Sequence, residues 1–142
     1  MPTDDGEEVQ VRIQTFEMRG EVLVRAVSVG QTRVDRADEM TLQDVEFYND
    51  GFIIRYDLML SDVMDAPHVA FQVDDNLGGS KYQQGKSYFR GDGWHWEGDA
   101  RLVPAIDSAA SNLLLVAKVL WPMGEGVPPS HIPTFEFVVP LA

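Results

Sequence analysis

The sequence predicts an all-β protein, and more specifically an antiparallel β-sandwich of about eight or nine strands. Short runs in which apolar and polar residues alternate recur at intervals of roughly 8–12 residues, which is typical of half-buried strands. The segments between these runs are rich in Gly, Asn and Asp, the residues that favour turns. No strand–helix–strand alternation is present, which disfavours a parallel sheet. A closed barrel is the alternative architecture.

The length and composition of the chain indicate a single domain. The chain has 142 residues, 44% of them hydrophobic and 24% charged, which is enough for one packed core. We expect a disordered acidic segment at 1–8 and a single β-sandwich domain at 9–142. No apolar run reaches the roughly 18–20 residues that span a bilayer, so membrane insertion is not expected. The N-terminus shows no signal-peptide pattern, which slightly favours the cytoplasm.

The charge of the chain limits the classes of partner that we expect. Asp and Glu outnumber Lys and Arg by 23 to 11, for a formal net charge of −12. Because an acidic surface repels phosphate backbones, nucleic acid is not expected as a partner. The chain contains no cysteine, which excludes disulfides, thiol nucleophiles and cysteine-ligated metals.

The N-terminal half contains four predicted strands, at 9–14, 21–29, 42–48 and 52–60. The second is apolar on both faces, which is typical of a central strand. The charged segment from Gly30 to Glu39 is predicted to be a solvated crossing loop. Asn49-Asp50-Gly51 is a strong hairpin signal, and the strand that follows it alternates regularly.

The C-terminal half is organised around the stretch from Val69 to Pro104. It is predicted to be a meander of three strands, joined by glycine-rich turns at Asp74–Gly79 and Gly91–Gly93. The strand at 112–121 is apolar on both faces and is expected to lie mid-sheet. The segment 122–133 holds four prolines and is predicted to be a loop, and a last alternating strand covers 135–141.

Several of these segments resemble a known class of domain. Four segments look like parts of the Ig-like β-sandwich domains of bacterial envelope and stress-response proteins. They are the run Phe71-Gln-Val-Asp-Asp-Asn-Leu-Gly-Gly-Ser-Lys-Tyr82, the later Pro104, Leu113–Val116 and Phe135–Val139. The resemblance covers roughly the C-terminal half, and the chain lacks the cysteine pair of antibody-type domains. It implies a non-catalytic accessory or binding module and carries over no catalytic residue.

Aromatic residues supply the first candidate site. Trp94 and Trp96 share one face of their predicted strand, and Tyr88 lies on its neighbour. An exposed aromatic row forms a platform for sugar rings or for a protein partner. The alternative is that the row belongs to the core, which Ala100 and Leu102 on the same face favour. Trp94, Trp96 and Tyr88 are the predicted ligand-binding residues.

An acidic turn supplies the second candidate, a Ca²⁺ site at Asp74, Asp75 and Asn76. Carboxylate and amide oxygens are the ligands that Ca²⁺ prefers. The same residue types are also common in turns for backbone reasons alone, and we favour that explanation. Asp92 could add a carboxylate, but consecutive hairpin turns of a meander lie at opposite ends of the sheet.

A third group lies opposite the tryptophans, where His95 is followed by Glu97, Asp99 and Arg101. A histidine with a carboxylate two residues later on one strand face can bind a transition metal. The alternative, which we favour, is a charged stripe on a solvated sheet face.

No catalytic motif is present: the chain has neither a Gly-x-Ser-x-Gly elbow nor a phosphate-binding loop. The sequence therefore predicts a non-enzymatic module for protein–protein interaction or self-association, with no catalytic residue and no cofactor unless Ca²⁺ binds. A sandwich that binds carbohydrate or Ca²⁺ is the alternative. A hydrolase with paired carboxylates stays open, because 23 acidic residues allow many pairs.

Overall fold

The computed structural model describes residues 18–62, 67–79, 81–120 and 131–141. The predicted strand at 9–14 and the predicted disordered segment at 1–8 lie outside the described residues. The predicted loop at 122–133 is described only from His131 onward. No helix among the described residues is long and apolar enough to cross a membrane.

Nine described strands form two antiparallel sheets. They are β1 (Leu23–Asp35), β2 (Asp38–Tyr48), β3 (Gly51–Met59), β4 (His68–Asp75), β5 (Gln83–Gln84), β6 (Tyr88–Gly91), β7 (His95–Val103), β8 (Asn112–Leu120) and β9 (Thr134–Pro140). The large sheet has the order β1-β2-β3-β7-β5, with β6 also paired to β7, and the small sheet has the order β4-β8-β9. The predicted antiparallel β-sandwich is confirmed, and over the described ranges the strands do not join into one closed sheet.

The core lies between the two sheets and follows from alternation along the strands. β3 buries Phe52, Ile54, Tyr56 and Leu58 on its inner face, as the sequence predicts. β8 lies in the middle of the small sheet, which confirms its predicted position. The two inner faces meet through aromatic contacts such as the one between Tyr56 and Phe71, whose ring centroids are 5.3 Å apart. The outer faces remain available for polar side chains.

The predicted crossing loop from Gly30 to Glu39 is wrong. β1 continues through this segment to Asp35, turns at Arg36 and Ala37, and pairs with β2. β1 is also the last strand on its side of the described large sheet, whereas the sequence predicts a central strand. Both errors share one cause. The side chains of β1 are largely exposed among the described residues, so its composition carries little information about burial.

The predicted three-stranded meander from Val69 to Pro104 is also wrong in part. The hairpin of β6 and β7 is present, but β4 pairs with β8 in the small sheet. The segment from Asp74 to Gly79 therefore begins a crossing between sheets and is not a hairpin turn. Alternation along β4 shows that one face is buried, but it does not specify the strand that β4 pairs with.

Side chains close both open sides of the sandwich. On one side, Gln31 Nε2 donates to the carbonyl of Val138 at 3.0 Å, and Arg33 Nε donates to the carbonyl of Glu136 at 3.1 Å. On the other side, the amide of Gln84 binds the exposed edge of β4. Its Oε1 accepts from the N–H of Phe71 at 2.7 Å, and its Nε2 donates to the carbonyl of Val69 at 3.0 Å. Edge groups of the small sheet thus find partners that no neighbouring strand of the described ranges supplies.

Candidate functional site

The main candidate site is a recess of about 390 Å³ on the outer face of the large sheet, which we call the β6–β7 recess. Four strands contribute to it. Its lining consists of Gln43, Arg55, Tyr56, Tyr88, Phe89, Arg90, Glu97, Gly98 and Asp99. A volume of this size lies at the lower end of the range for small-molecule sites, which fits one sugar ring or a similarly small polar ligand.

Strand register places Arg55, Asp99 and Tyr88 of the recess in one row with the neighbouring Asp44. Asp44 is the cross-strand partner of Arg55, Arg55 is the partner of Asp99, and Asp99 is the partner of Tyr88. Because strand residues alternate between faces, all four side chains point to the outer face. The row crosses β2, β3, β7 and β6, so it depends on pairings between segments that are distant in the chain.

Arg55 holds the recess together electrostatically. Its guanidinium lies 2.5 Å from Glu46, 3.6 Å from Asp44 and 3.9 Å from Asp99. The hydrogen bond to Glu46, together with these carboxylates, raises the pKa of Arg55 above its ordinary value. Burial raises the pKa of Asp44 despite the neighbouring Arg55. The recess therefore has charges of both signs fixed on a rigid sheet.

Tyr88 forms the aromatic wall of the recess. The residue is 49% exposed, and its backbone N–H donates to Asp99 at 3.2 Å. The guanidinium of Arg101 lies 5.0 Å from the ring centroid, and the ammonium of Lys86 lies 5.7 Å from it. Arg101 is half-buried and supports the ring, whereas Lys86 is exposed and its flexible side chain can move aside for a ligand.

The structure separates the two predicted tryptophans. Trp96 is 8% exposed and packs edge-to-face on Phe89 at 5.2 Å, so it belongs to the core and offers no face to a ligand. Trp94 is 49% exposed and lies in the turn before β7. Neither residue lines the β6–β7 recess. Of the three predicted ligand-binding residues, the structure places Tyr88 in a concave site.

Three metal-ligating groups meet beside the recess. Asp57 on β3, with His95 and Glu97 on β7, each offer one ligand atom, and these atoms all lie within 4.8 Å of one another. His95 Nε2 and Asp57 Oδ1 are 3.3 Å apart. The sequence places His95 and Glu97 on one face but does not name Asp57 as their partner. Only the register of β3 against β7 brings that third carboxylate to them.

Asp75 and Asn76 of the predicted calcium turn have partners within the protein. Asp75 Oδ1 accepts from the N–H of Leu77 at 2.9 Å, and Oδ2 accepts from the hydroxyl of Tyr82 at 2.7 Å. Asn76 Oδ1 accepts from the N–H of Ser111 at 2.7 Å. Asp74 points to the other face of β4. The calcium site stays a prediction, and Ca²⁺ would have to compete with these hydrogen bonds.

A second cavity of about 310 Å³ lies at one end of the sandwich and has mostly apolar walls, among them Val24, Phe47 and Ile106. Its cation, Arg25, packs on the ring of Phe47 and donates to the carbonyl of Leu141. That hydrogen bond engages Arg25 within the protein, and the other polar residues of the lining are Tyr48, Asn49, Asp107 and Ser108. The β6–β7 recess is the stronger candidate because a larger share of its lining residues is polar or charged.

Comparisons with known proteins address the fold. The chain matches no protein-family model and no curated protein sequence. It is similar in structure to a solved protein described as a conserved domain protein from Bacillus anthracis, with a TM-score of 0.65 and 16% sequence identity. The similarity covers 83% of this chain and 49% of that protein, so the chain spans about half its length. At this identity, the likeness shows that the two share the sandwich fold.

Proposed function

We propose that this domain is a non-catalytic binding module that holds a sugar residue in the β6–β7 recess. The observation that carries the proposal is the half-exposed ring of Tyr88 on the wall of a recess with polar groups of both signs. The apolar face of a sugar ring stacks on an aromatic side chain, while its hydroxyl groups hydrogen-bond to charged side chains around it. Arg55, Arg90 and Glu97 line the recess and would supply those hydrogen bonds.

The charges of the recess favour a neutral, hydroxyl-rich ligand over an anion. Arg55 and Arg90 are accompanied by the carboxylates of Glu97 and Asp99, so the recess presents no purely cationic surface. The net charge of −12 further disfavours phosphates. Asp99 also contacts both Arg55 and Arg101, which commits this carboxylate to organising the site. That engagement weighs against the alternative of a hydrolase that uses paired carboxylates.

The proposal predicts saturable sugar binding that depends on Tyr88. Calorimetric titration with glucose, galactose, N-acetylglucosamine and their β-linked tetramers should identify at least one ligand. We expect Tyr88→Ala to weaken its binding about tenfold, because the stacking surface is lost. Tyr88→Phe should retain most of the affinity, because it keeps the ring.

Trp94→Ala is the matched control, since Trp94 is equally exposed but lies outside the recess. This variant should bind like the wild type. Equal losses in Tyr88→Ala and Trp94→Ala, or no binding of any sugar in the panel, would refute the proposed site. Release of hydrolysed product would instead support the enzyme alternative.

Self-association through the small sheet is a second candidate function. Leu114 and Val138 are direct cross-strand partners on its outer face, and they are 40% and 54% exposed. Val116 lies beside them. We call Leu114, Val116 and Val138 the apolar face. Lys118, Glu136 and Asp74, the partner of Leu114 on β4, border it, so this surface has one net negative charge on a chain of net charge −12. Two copies can meet there with less repulsion than elsewhere on this strongly acidic chain.

The predicted dimer is weak. Three strands of seven to nine residues cover about 14 Å by 27 Å, which is small beside the roughly 800 Å² that a stable partner buries. Sedimentation at rising concentration should show a mass that approaches twice that of one chain. Val138→Glu should keep the protein monomeric, whereas Val34→Glu, an equally polar change at an exposed valine of β1, should not. A monomer at every concentration would exclude self-association.

A further inference from the structure

We propose that Asp57, His95 and Glu97 bind a divalent transition-metal ion, and that Zn²⁺ matches this donor set best. One imidazole nitrogen and two carboxylate oxygens are ligands that Zn²⁺ accepts. Ca²⁺ is a poorer match because it binds oxygen ligands almost exclusively. The site does not depend on the proposed sugar binding, although Glu97 borders both.

The separation of the donor atoms supports a shared ion. Metal–ligand distances of about 2.0–2.1 Å in a tetrahedral complex put neighbouring ligand atoms about 3.4 Å apart. The observed separation of His95 Nε2 from Asp57 Oδ1 is 3.3 Å. All three donors lie within 4.8 Å of one another, so the third has at most about 1.4 Å to move. The side chain of Glu97 is 53% exposed and flexible enough for that movement.

The cross-strand pairing supplies a second argument. Asp57 and Glu97 are direct partners in the register of β3 against β7. Two like charges placed directly opposite each other destabilise a sheet. The cation that faces Glu97 from β6 is Arg90, which is 88% exposed and lies 3.8 Å away. So loose an ion pair offsets little of the repulsion. A divalent ion between the two carboxylates would remove it.

The surroundings of the three groups suit a metal ion as well. Gln43 Nε2 donates to Asp57 Oδ2, which fixes the carboxylate and leaves Oδ1 directed toward His95. Such a hydrogen bond from outside the ligand set orients metal ligands in known sites. A shallow recess of about 360 Å³ adjoins His95 and Glu97, so water can complete the coordination. Three protein ligands with a fourth position open to water would form a site at which the metal ion can exchange with the solvent.

The competing explanation is a simple ion pair between His95 and Asp57, in which Glu97 has no part. The two explanations differ in what Glu97 does. A metal site loses affinity in Glu97→Gln, because an amide is a poor substitute for a carboxylate ligand. If His95 and Asp57 form only an ion pair, added Zn²⁺ has no effect on the wild type, and Glu97→Gln has no metal response to abolish.

Thermal melting and calorimetry of the chelator-treated protein with ZnCl₂ test the proposal. We expect one Zn²⁺ per chain and a rise in Tm of about 3–5 °C at saturating metal. His95→Ala and Glu97→Gln should each abolish the rise. His68→Ala is the matched control because it removes an exposed histidine from β4, and it should leave the rise unchanged.

Absence of a Zn²⁺-dependent shift in the wild type would overturn the proposal, and so would a shift that survives in His95→Ala. Loss of the shift in His68→Ala would show non-specific binding and would equally count against it. The experiment is carried out without sugar, and Tyr88→Ala should keep the full metal response. Failure of the metal site and failure of the sugar site are therefore distinguishable.

Discussion

Replacing Gly98 with alanine is expected to destabilise the domain by about 2–3 kcal/mol. Gly98 lies directly opposite Tyr56 in the pairing of β3 with β7. A Cβ atom at Gly98 would lie 2.4 Å from Cζ and 2.5 Å from the hydroxyl oxygen of Tyr56. Tyr56 is only 2% exposed, so its ring is packed by neighbouring residues on most sides. Urea unfolding should report the loss of stability, and thermal melting should show a fall in Tm of about 8–10 °C.

The direction of this effect is informative because glycine in a strand interior is normally unfavourable. Without a clash, Gly→Ala in a strand should stabilise by roughly 0.5–1 kcal/mol. We therefore expect the cost of Gly98→Ala to disappear when Tyr56 is first replaced by leucine, which removes the clashing atoms. If the stability changes of Gly98→Ala and Tyr56→Leu are additive, the packing of Tyr56 over Gly98 is not the cause of the destabilisation.

Replacing Asp75 with asparagine is expected to destabilise the domain by about 2 kcal/mol at neutral pH. Its carboxylate has no solvent exposure and lies 3.2 Å from the ammonium of Lys81. It also accepts hydrogen bonds from Tyr82 and from the N–H of Leu77. Asparagine can accept one of these bonds, but it loses the ion pair and leaves the other donors poorly matched. Denaturant unfolding at pH 7 measures the difference.

The difference between the wild type and Asp75→Asn should depend on pH. Burial alone would raise the pKa of Asp75, but the hydrogen bonds from Tyr82, Leu77 and Lys81 outweigh it and hold the pKa below its ordinary value. A carboxyl whose pKa is lower when folded than the unfolded value of about 3.9 stabilises fully above that value. The stabilisation is lost as the pH falls through the folded pKa. The two proteins should therefore converge in stability below about pH 4.

Asp74→Asn is the matched control, since Asp74 precedes Asp75 on the opposite face of β4. No hydrogen bond from the described residues to its side chain is present. Its replacement should change stability far less than Asp75→Asn at pH 7. A difference for Asp75→Asn that stays constant from pH 7 to pH 3 would contradict the assigned role of the carboxylate.

The candidate sites could be predicted from the sequence only in part. Alternation along β7 correctly places His95, Glu97 and Asp99 on one face, because side chains alternate along every strand. Alternation also identifies Tyr88 as a candidate, but it does not show that Arg55 lies in the same row as Tyr88 or that Asp57 reaches His95. Those residues are about 30–40 positions away, and their proximity depends on which strands pair and in which register. Local patterns do not encode either choice.

The strands of the core were also easier to predict from the sequence than the largely exposed strand β1. Regular burial of one face made β3, β8 and β9 predictable, whereas the mostly exposed β1 was predicted to be partly loop. Arg33 illustrates the reason. Its charge is typical of a loop, but its side chain reaches β9 and donates a hydrogen bond to the backbone carbonyl of Glu136. The pairing of β1 with β2 and its side-chain contacts with β9 hold this strand in place, and neither can be recognised from the composition of β1 alone.

By itself, the sequence determined the class of this protein: all-β and antiparallel, with the inner face of most strands recognisable. Those features follow from local chemistry, because alternation and turn residues act over a few positions. The tertiary structure alone decided that β4 leaves the meander for the other sheet and that Trp96 is buried. It also decided that Asp57 meets His95 and Glu97, and that Tyr88 borders a recess. Each of these depends on strand pairing over long sequence separations, which is set by the packing of the whole core.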